Sequence, residues 1–279
     1  MFSLIKTNPN FYCVSFYEGD VSWVPKLSQG AYHIYSKDEI HDAAIDRNKT
    51  TKVENVGYNI YPYMKFIIDH YDSLPEAVVF CKNNVFPRHV DRVTFEQLSS
   101  RRVFTAIESP TRWKLKYPVS ILSCDNGFME LNTSWYTRHH SKKYFSSLHG
   151  FYRFIFKEKM DPMYMRFAPG ANYVVPRENI LLRSKNFYSN LKRFVEHDQH
   201  SAESHMIERA LFSIWSAPLE ESYEMSVPIS DAKLKELESQ TKQKSKLIFL
   251  PYLLKQIRKH GYIFTIYYWN KFWGNRWGE

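Results

Sequence analysis

Apolar positions in the first third of the chain fall into short runs divided by polar or Pro-marked segments. "NFYCVSFYEG" (10–19) and "AYHIYSK" (31–37) read as strands, and "DVSWVPKL" between them reads as a loop punctuated by Pro25. The polar stretch "DEIHDAAIDRNKTTKVEN" reads as exposed loop with at most one helical turn. In "NVGYNIYPYMKFIIDHYDSLP", Tyr63, Phe66, Ile67 and His70 or Tyr71 recur at helical spacing, with Pro62 acceptable in a first turn and Pro75 closing the unit. Ala77, Val78, Val79 and Phe80 form a continuous apolar run, the pattern of a strand buried on both faces of a parallel sheet. Strand, strand, helix, strand is an α/β beginning.

Further on, "VDRVTFEQLSSRRVFT" is amphipathic, and "VSILSCDNGFMELN" gives a strand and a Gly turn. "YFSSLHGFYRFIFKEKM" looks helical, and "MYMRFAPGANYVVPREN" reads as strand, Pro-Gly turn and strand. "SKNFYSNLKRFVEH" and "SAESHMIERALFSIW" read as two helices, and "SDAKLKELESQTKQKSK" as a charged helix or linker. The pattern predicts one α/β domain over 1–228 with a mixed, mostly parallel sheet. A charged helix or linker and a basic-aromatic helical tail follow over 229–279.

Composition sharpens this in three ways. The 20 Tyr, 20 Phe and seven Trp among 279 residues exceed what a core tends to use, so some should line a cleft or an interface. Cys13, Cys81 and Cys124 are odd in number, far apart and without Cys-x-x-Cys spacing, which predicts free thiols, buried for Cys13 and Cys81, and a reducing, cytoplasmic setting. No apolar h-region opens the chain and no stretch reaches about 18 apolar residues, so neither a cleavable signal nor a membrane span is expected.

Charge is uneven. Residues 242–279 hold eight Lys or Arg against Glu279 alone, so +7 of the net +9 lies in the last 38 residues. The nearly neutral remainder disfavours a nucleic-acid enzyme, whose cleft would carry basic charge. The tail interleaves Lys and Arg with Leu, Ile, Phe, Tyr and Trp and suits peripheral contact with the inner face of a membrane.

Four ordered blocks carry a resemblance. "ENVGYNIYPYMKFIIDHYDSLPEAVVFC" resembles the Asn-x-Gly…Tyr-Ile-Ile-Asp-x-Tyr-Asp-x-Leu-Pro block of a glycosyltransferase-like family known mainly as a domain of unknown function. "GFMELNTSWY", "MRFAPGANYVVPRENI" and "HMIERALFSIW" look like its later blocks, so the resemblance covers about residues 10–216 and leaves the tail out. It implies a GT-A-like fold, a Rossmann-related domain that takes a nucleotide-sugar donor such as a UDP- or GDP-sugar, hexosyl or pentosyl. The acceptor it implies is a glycan or lipid-linked glycan, in surface or capsid glycan synthesis.

Under that resemblance the residues sort into a donor and an acceptor side. Ligands of open α/β sheets collect beyond the carboxyl ends of the strands, which places Asp20 and Lys37 beside base and ribose. Asn55 and Gly57 stand before a helix whose N-terminus favours phosphate. Many sugar-transferring enzymes hold a metal with two aspartates at such a strand end, but here it reads Lys82, Asn83, Asn84, with Arg88 and His89 following. Fixed cations and amide donors can stabilise a diphosphate leaving group. No cofactor is therefore expected to be required; manganese or magnesium would serve if a divalent cation were, with Asp125 as one place for it. Asp125, Glu130 and Glu208 are the candidate catalytic carboxylates, since transfer with inversion needs a base near the acceptor hydroxyl. His205 and Arg209 are candidates for phosphate, and Asn132, Trp135, Tyr136 and Asn172 for the acceptor. The rival expectation is a non-catalytic carbohydrate-binding or scaffold protein of the same fold.

Overall fold

The computed structural model describes residues 10–108, 120–122, 128–131, 137, 140–159, 162 and 164–247. Over 120–122, 128–131 and 244–247 it describes the backbone alone. Its centre is a six-stranded sheet in the order β3-β2-β1-β4-β9-β5. β1 (Phe11–Phe16), β2 (Tyr32–Ser36), β3 (Thr50–Lys52) and β4 (Ala77–Lys82) run parallel. β9 (Tyr173–Pro176) lies antiparallel between β4 and β5 (Thr105–Ala106). The sheet is mixed, as the pattern predicted.

Alternation along the strands explains why both faces are covered. Cys13, Tyr35, Val78, Phe80, Tyr173 and Val175 enter one apolar cluster; Tyr12, Val14, Ile34, Val79, Cys81 and Val174 enter the other. Period-two side chains that are apolar on both faces need helices above and below. Helices α2 (Ile60–His70), α4 (Leu148–Ile155), α6 (Lys185–Val195) and α7 (Ala202–Ser216) supply the first layer. α1 (Trp23–Ser28) and α3 (Arg92–Ser99) supply the second. The chain moves outward from β1 to β2 and β3, then returns to place β4 on the far side of β1. Crossovers of one hand therefore put α1 and α2 on opposite faces, and the strand order reverses between β1 and β4, the switch point beyond which sheets of this kind form their ligand crevice.

Two expectations are corrected, and two are refined. The segment read as a loop around Pro25 contains α1; Pro25 is its third residue, where the missing N–H costs no helical bond. The polar stretch 38–55 contains a 3-10 turn (Arg47–Lys49) and the edge strand β3, whose pairing with β2 supplies an order that its composition hides. The strands expected on either side of the Pro-Gly turn form, and they join different sheets. β8 (Tyr164–Phe167) joins β6 (Ser120–Leu122) and β7 (Phe128–Leu131) in a separate antiparallel sheet, whereas β9 enters the central one. Contacts cross the point 228/229. Ile229 and Leu237 join the first apolar cluster, and the Arg193 guanidinium on α6 bonds the Ile229 carbonyl and the Asp231 carboxylate. The charged stretch thus forms α9 (Asp231–Leu247) docked on the domain. α5 (Arg177–Ile180) and α8 (Tyr223–Ser226) are short helices of one turn. No described helix is long and apolar enough to cross a membrane.

Candidate functional site

The crevice beyond β1 and β4 is built from the loop Tyr17–Asp20 and the segment Lys82–Asn84. Asn83 is buried, and its amide Nδ2 donates to the carbonyls of Glu18 (2.7 Å) and Asp20 (3.3 Å). Its own carbonyl accepts from Trp23 Nε1 (3.1 Å). Asn83 therefore holds the two strand ends at a set distance and shapes the crevice. Asp20 is exposed; its carboxylate accepts the Ser22 amide (2.9 Å), which lowers its pKa. Asn55 is half-buried in the loop after β3.

Two lysines stand at this end of the sheet. Lys37 follows β2, and its Nζ donates to the carbonyls of Val56 (2.7 Å) and Tyr58. Burial, then the charge of Lys82, pushes its pKa down to about 7. Lys82 ends β4; burial lowers its pKa too, the Glu208 charge opposes that shift, and exposed Arg88 adds to it. Each ammonium sits where water is scarce and like charge is close.

The Pro-Gly turn before β9 borders the same region and is held from several sides. Glu208 Oε1 accepts the Gly170 amide (2.6 Å), and Asn59, the residue before α2, donates to the Gly170 carbonyl (2.7 Å). Asn172, fully buried, accepts the Lys82 amide through Oδ1 (3.1 Å) and donates to the Pro169 carbonyl (3.2 Å), tying the turn to the end of β4. His89 presses on Gly170, its Nδ1 3.0 Å from the fully buried carboxylate of Glu108. Gly170 has φ +78°, and a Cβ there would lie 2.8 Å from His89 Nε2 and 3.0 Å from Asn172 Nδ2. Gly170→Ala should therefore lower stability by about 1–3 kcal/mol. Urea unfolding is the check, and a neutral result would mean the turn is not gripped as described.

Glu208, His205 and Arg209 do come together. Glu208 Oε2 lies 3.2 Å from Arg209 Nη1 and 3.6 Å from His205 Nδ1. Arg209 is 2% exposed and stacks 4.6 Å from the centre of the Phe167 ring. Burial would raise the Glu208 pKa, but His205, Arg209 and Lys82 outweigh it and hold the carboxyl at about 2. A carboxylate so strongly held is a weak proton acceptor, and its geometry is that of an anchor for the Gly170 turn. Glu203, on the same helix, accepts the amides of Lys143 (2.8 Å), Tyr144 (2.7 Å) and Phe145 (3.2 Å) and so secures the entry to α4.

Gly57 is placed for packing. At φ +62° its amide donates to the Asp198 carbonyl (3.0 Å), and a Cβ would meet Val195 Cγ2 at 2.7 Å, so this N–H is not open to a phosphate. Glu130 lies on β7 in register with Met165 of β8. Asp125, Asn132, Trp135, Tyr136 and the tail 248–279 lie outside the described residues. Cys13 and Cys81 are buried free thiols, as the strand pattern predicted.

Two members of the cluster escaped the sequence. Glu108 stands among polar and Pro-marked residues with no local pattern, and Asn59 looked like one more polar residue of "NVGYNI". A short polar residue just before a helix was the available signal for Asn59. Nothing local signalled Glu108. Among the described residues no group of three or more His, Cys, Asp or Glu could hold a metal ion.

No curated protein and no solved structure matches the chain. Residues 13–231 match the model of the family described as "Protein of unknown function (DUF3431)", and the chain belongs to that family.

Proposed function

We propose that this protein is a glycosyltransferase of GT-A type that transfers a sugar from a nucleoside-diphosphate donor to a glycan acceptor. One observation carries the reading. Lys37 and Lys82 stand at the carboxyl ends of β2 and β4, on either side of β1, the charge of Lys37 disfavoured by burial and by Lys82, that of Lys82 by burial and by Arg88. A diphosphate between them would relieve both, and the same cations would stabilise the charge that develops as the bond from sugar to phosphate breaks. The reversal of strand order at β1, with antiparallel β9 beyond β4, is compatible with a nucleotide-sugar domain of this type.

In this reading the nucleotide lies over the ends of β1 and β2 near Asp20 and Asn55. Arg88 adds outer charge for the phosphates. His205 and Arg209 act through Glu208, which balances Lys82 and fixes the Gly170 turn. The base that takes the acceptor's proton is then Glu130 or Asp125, with Asn132, Trp135 and Tyr136 holding the acceptor, while buried Asn172 fixes the Pro-Gly turn.

Thermal shift with UDP, GDP and their sugars tests the proposal. At about 100-fold saturation a bound nucleotide contributes roughly 2.7 kcal/mol, about 5–10 °C for a chain of this size. No shift with any of them would sink the reading and favour a scaffold. Binding should also be linked to protons. Lys37 has a pKa of about 7 when free and a higher one beside a diphosphate. At pH 8 calorimetry in two buffers should show uptake approaching one proton, and affinity should fall about tenfold per pH unit above 7. Zero uptake at pH 8 would remove Lys37 from the site.

The cationic pair also makes the reaction metal-independent in this proposal. EDTA should leave turnover unchanged; complete loss restored by manganese would show that a cation is required.

A further inference from the structure

Lys37 is held by a turn that does not itself face the crevice. Gly57 and Tyr58 both have left-handed backbone, at φ +62° and +47°. For tyrosine that conformation is disfavoured and persists only where its surroundings impose it. The surroundings are explicit. The Gly57 amide is bonded to the Asp198 carbonyl, and its Cα packs on Val195 of α6. The Tyr58 ring is boxed by His200 and His205, each 4.9 Å away between ring centres, and by His140 at 6.3 Å. His140 lies 4.8 Å from His205 and 6.4 Å from His200. The product of this clamp is a pair of carbonyls, Val56 and Tyr58, aimed at Lys37 Nζ.

We infer that Tyr58 is a positioning residue for Lys37, and that the three histidines around it form an acid-sensitive latch on the anion site. The inference rests on the reading of Lys37 and Lys82 as that site.

Neutral imidazoles can pack in tilted contact at these separations, whereas several imidazolium ions repel. The charges around the trio decide how many protons it tolerates. Glu208 faces His205 at 3.6 Å, and Asp198, which accepts the His200 amide and the Ser141 hydroxyl, lies beside His200 and His140. Against them stand Arg209, bonded to the His205 carbonyl, Lys37 behind Tyr58, and Lys82 beside Glu208. His197 is engaged with Glu203. His140 faces the other two rings, and burial, then the charges of His205 and His200, lower its pKa against a hydrogen bond to the His200 backbone and the charge of Asp198. The unfolded chain therefore binds more protons than the latched form just below the ordinary histidine pKa. The latch loses stability as pH falls through that window. Once it opens, Lys37 loses both carbonyls and its place beside Lys82. Above pH 7 the other limit applies, because Lys37 itself loses its proton. Affinity for a nucleotide sugar should be bell-shaped in pH, its acid limb set by the histidines and its alkaline limb by Lys37.

Hydrogen exchange on the full chain reads the latch without any ligand. The amides of Gly57, Ile60 and Tyr61 all bond within or across this turn. Their protection, corrected for intrinsic rates, should drop at least tenfold between pH 7.5 and pH 5. His140→Gln, which cannot take the proton, should retain protection at pH 5; His200→Gln provides a second test if that variant folds poorly. In nucleotide-sugar titrations His140→Gln should match the wild type at pH 7.5 within about twofold and lose the acid limb, with the alkaline limb unmoved. PH-independent protection in the wild type, or an unchanged acid limb in both variants, would overturn the latch. Failure of every nucleotide sugar to bind would instead remove the functional reading, and the exchange result would still decide the latch.

Discussion

Lys82→Met should raise the melting temperature by about 2–4 °C, equivalent to about 1 kcal/mol, and weaken nucleotide-sugar binding at least tenfold. The side chain continues β4, a strand whose preceding five residues are buried. Methionine keeps the length and the apolar stem of lysine while removing an ammonium that burial and Arg88 already disfavour. The loss is the attraction to Glu208, which retains Arg209, His205 and the Gly170 amide. The fold gains what the binding site gives up, the usual sign of a charge retained for a ligand. A second consequence is independent of any ligand. With Lys82 gone, the Lys37 pKa should rise above about 7, because the neighbouring positive charge contributes to its depression. Differential scanning calorimetry, titration calorimetry and NMR of the lysine ε-carbons give the three readings. Destabilisation, or affinity equal to wild type, would show that Lys82 serves the fold.

Arg183→Met should have the opposite effect on the fold, a loss of about 3–5 kcal/mol that removes much of the roughly 5–15 kcal/mol typical of a domain. Arg183 is 4% exposed and its guanidinium closes the carboxyl end of α7. Nη1 donates to the carbonyls of Leu182 (3.1 Å) and Leu219, and Nη2 to those of Ala217 (2.9 Å) and Ser213 (3.4 Å). The Phe156 and Phe187 rings lie 5.2 and 6.0 Å from its central carbon. Ser213 lies in the last turn of α7 and Ala217 caps it, so one planar cation ties that helix end to the segments at Leu182 and Leu219 in an apolar setting. Methionine would fill the space but take this donor from the Leu182, Ala217 and Leu219 oxygens, at about 1–3 kcal/mol each if water cannot reach them, while Ser213 keeps the Ala217 amide. Arg183→Lys should recover only part of the loss, since one ammonium cannot span carbonyls that a fork reaches. Urea unfolding that costs less than about 1 kcal/mol for Arg183→Met would mean that water reaches the helix end.

The same contrast between a local pattern and its environment runs through the molecule. Ala77–Phe80 announced a two-faced buried strand because four consecutive apolar residues can be satisfied only by helices on both sides, and the structure provides them. The spacing of Tyr63, Phe66 and Ile67 specified α2, and the Pro-Gly turn was legible because glycine is the residue for a left-handed turn. Glu208 and His205 were legible as neighbours, three residues apart on one helix. Their burial was not, because nothing local distinguishes a charged helix face in water from one beneath a turn of distant sequence.

By itself, then, the sequence determined the element types over most of the described chain, the α/β class, the buried thiols and the cationic end of β4. Each depends on side-chain periodicity or on residues adjacent in the chain. The tertiary structure alone decided that β9 enters the central sheet while β8 leaves it, because strand pairing is chosen by partners far apart in sequence. It alone brought Glu108 to His89, Asn59 to Gly170 and Lys37 beside Lys82. Those contacts span from 19 to 111 residues, and their energies come from burial and mutual charge, which exist only once the chain has closed around them.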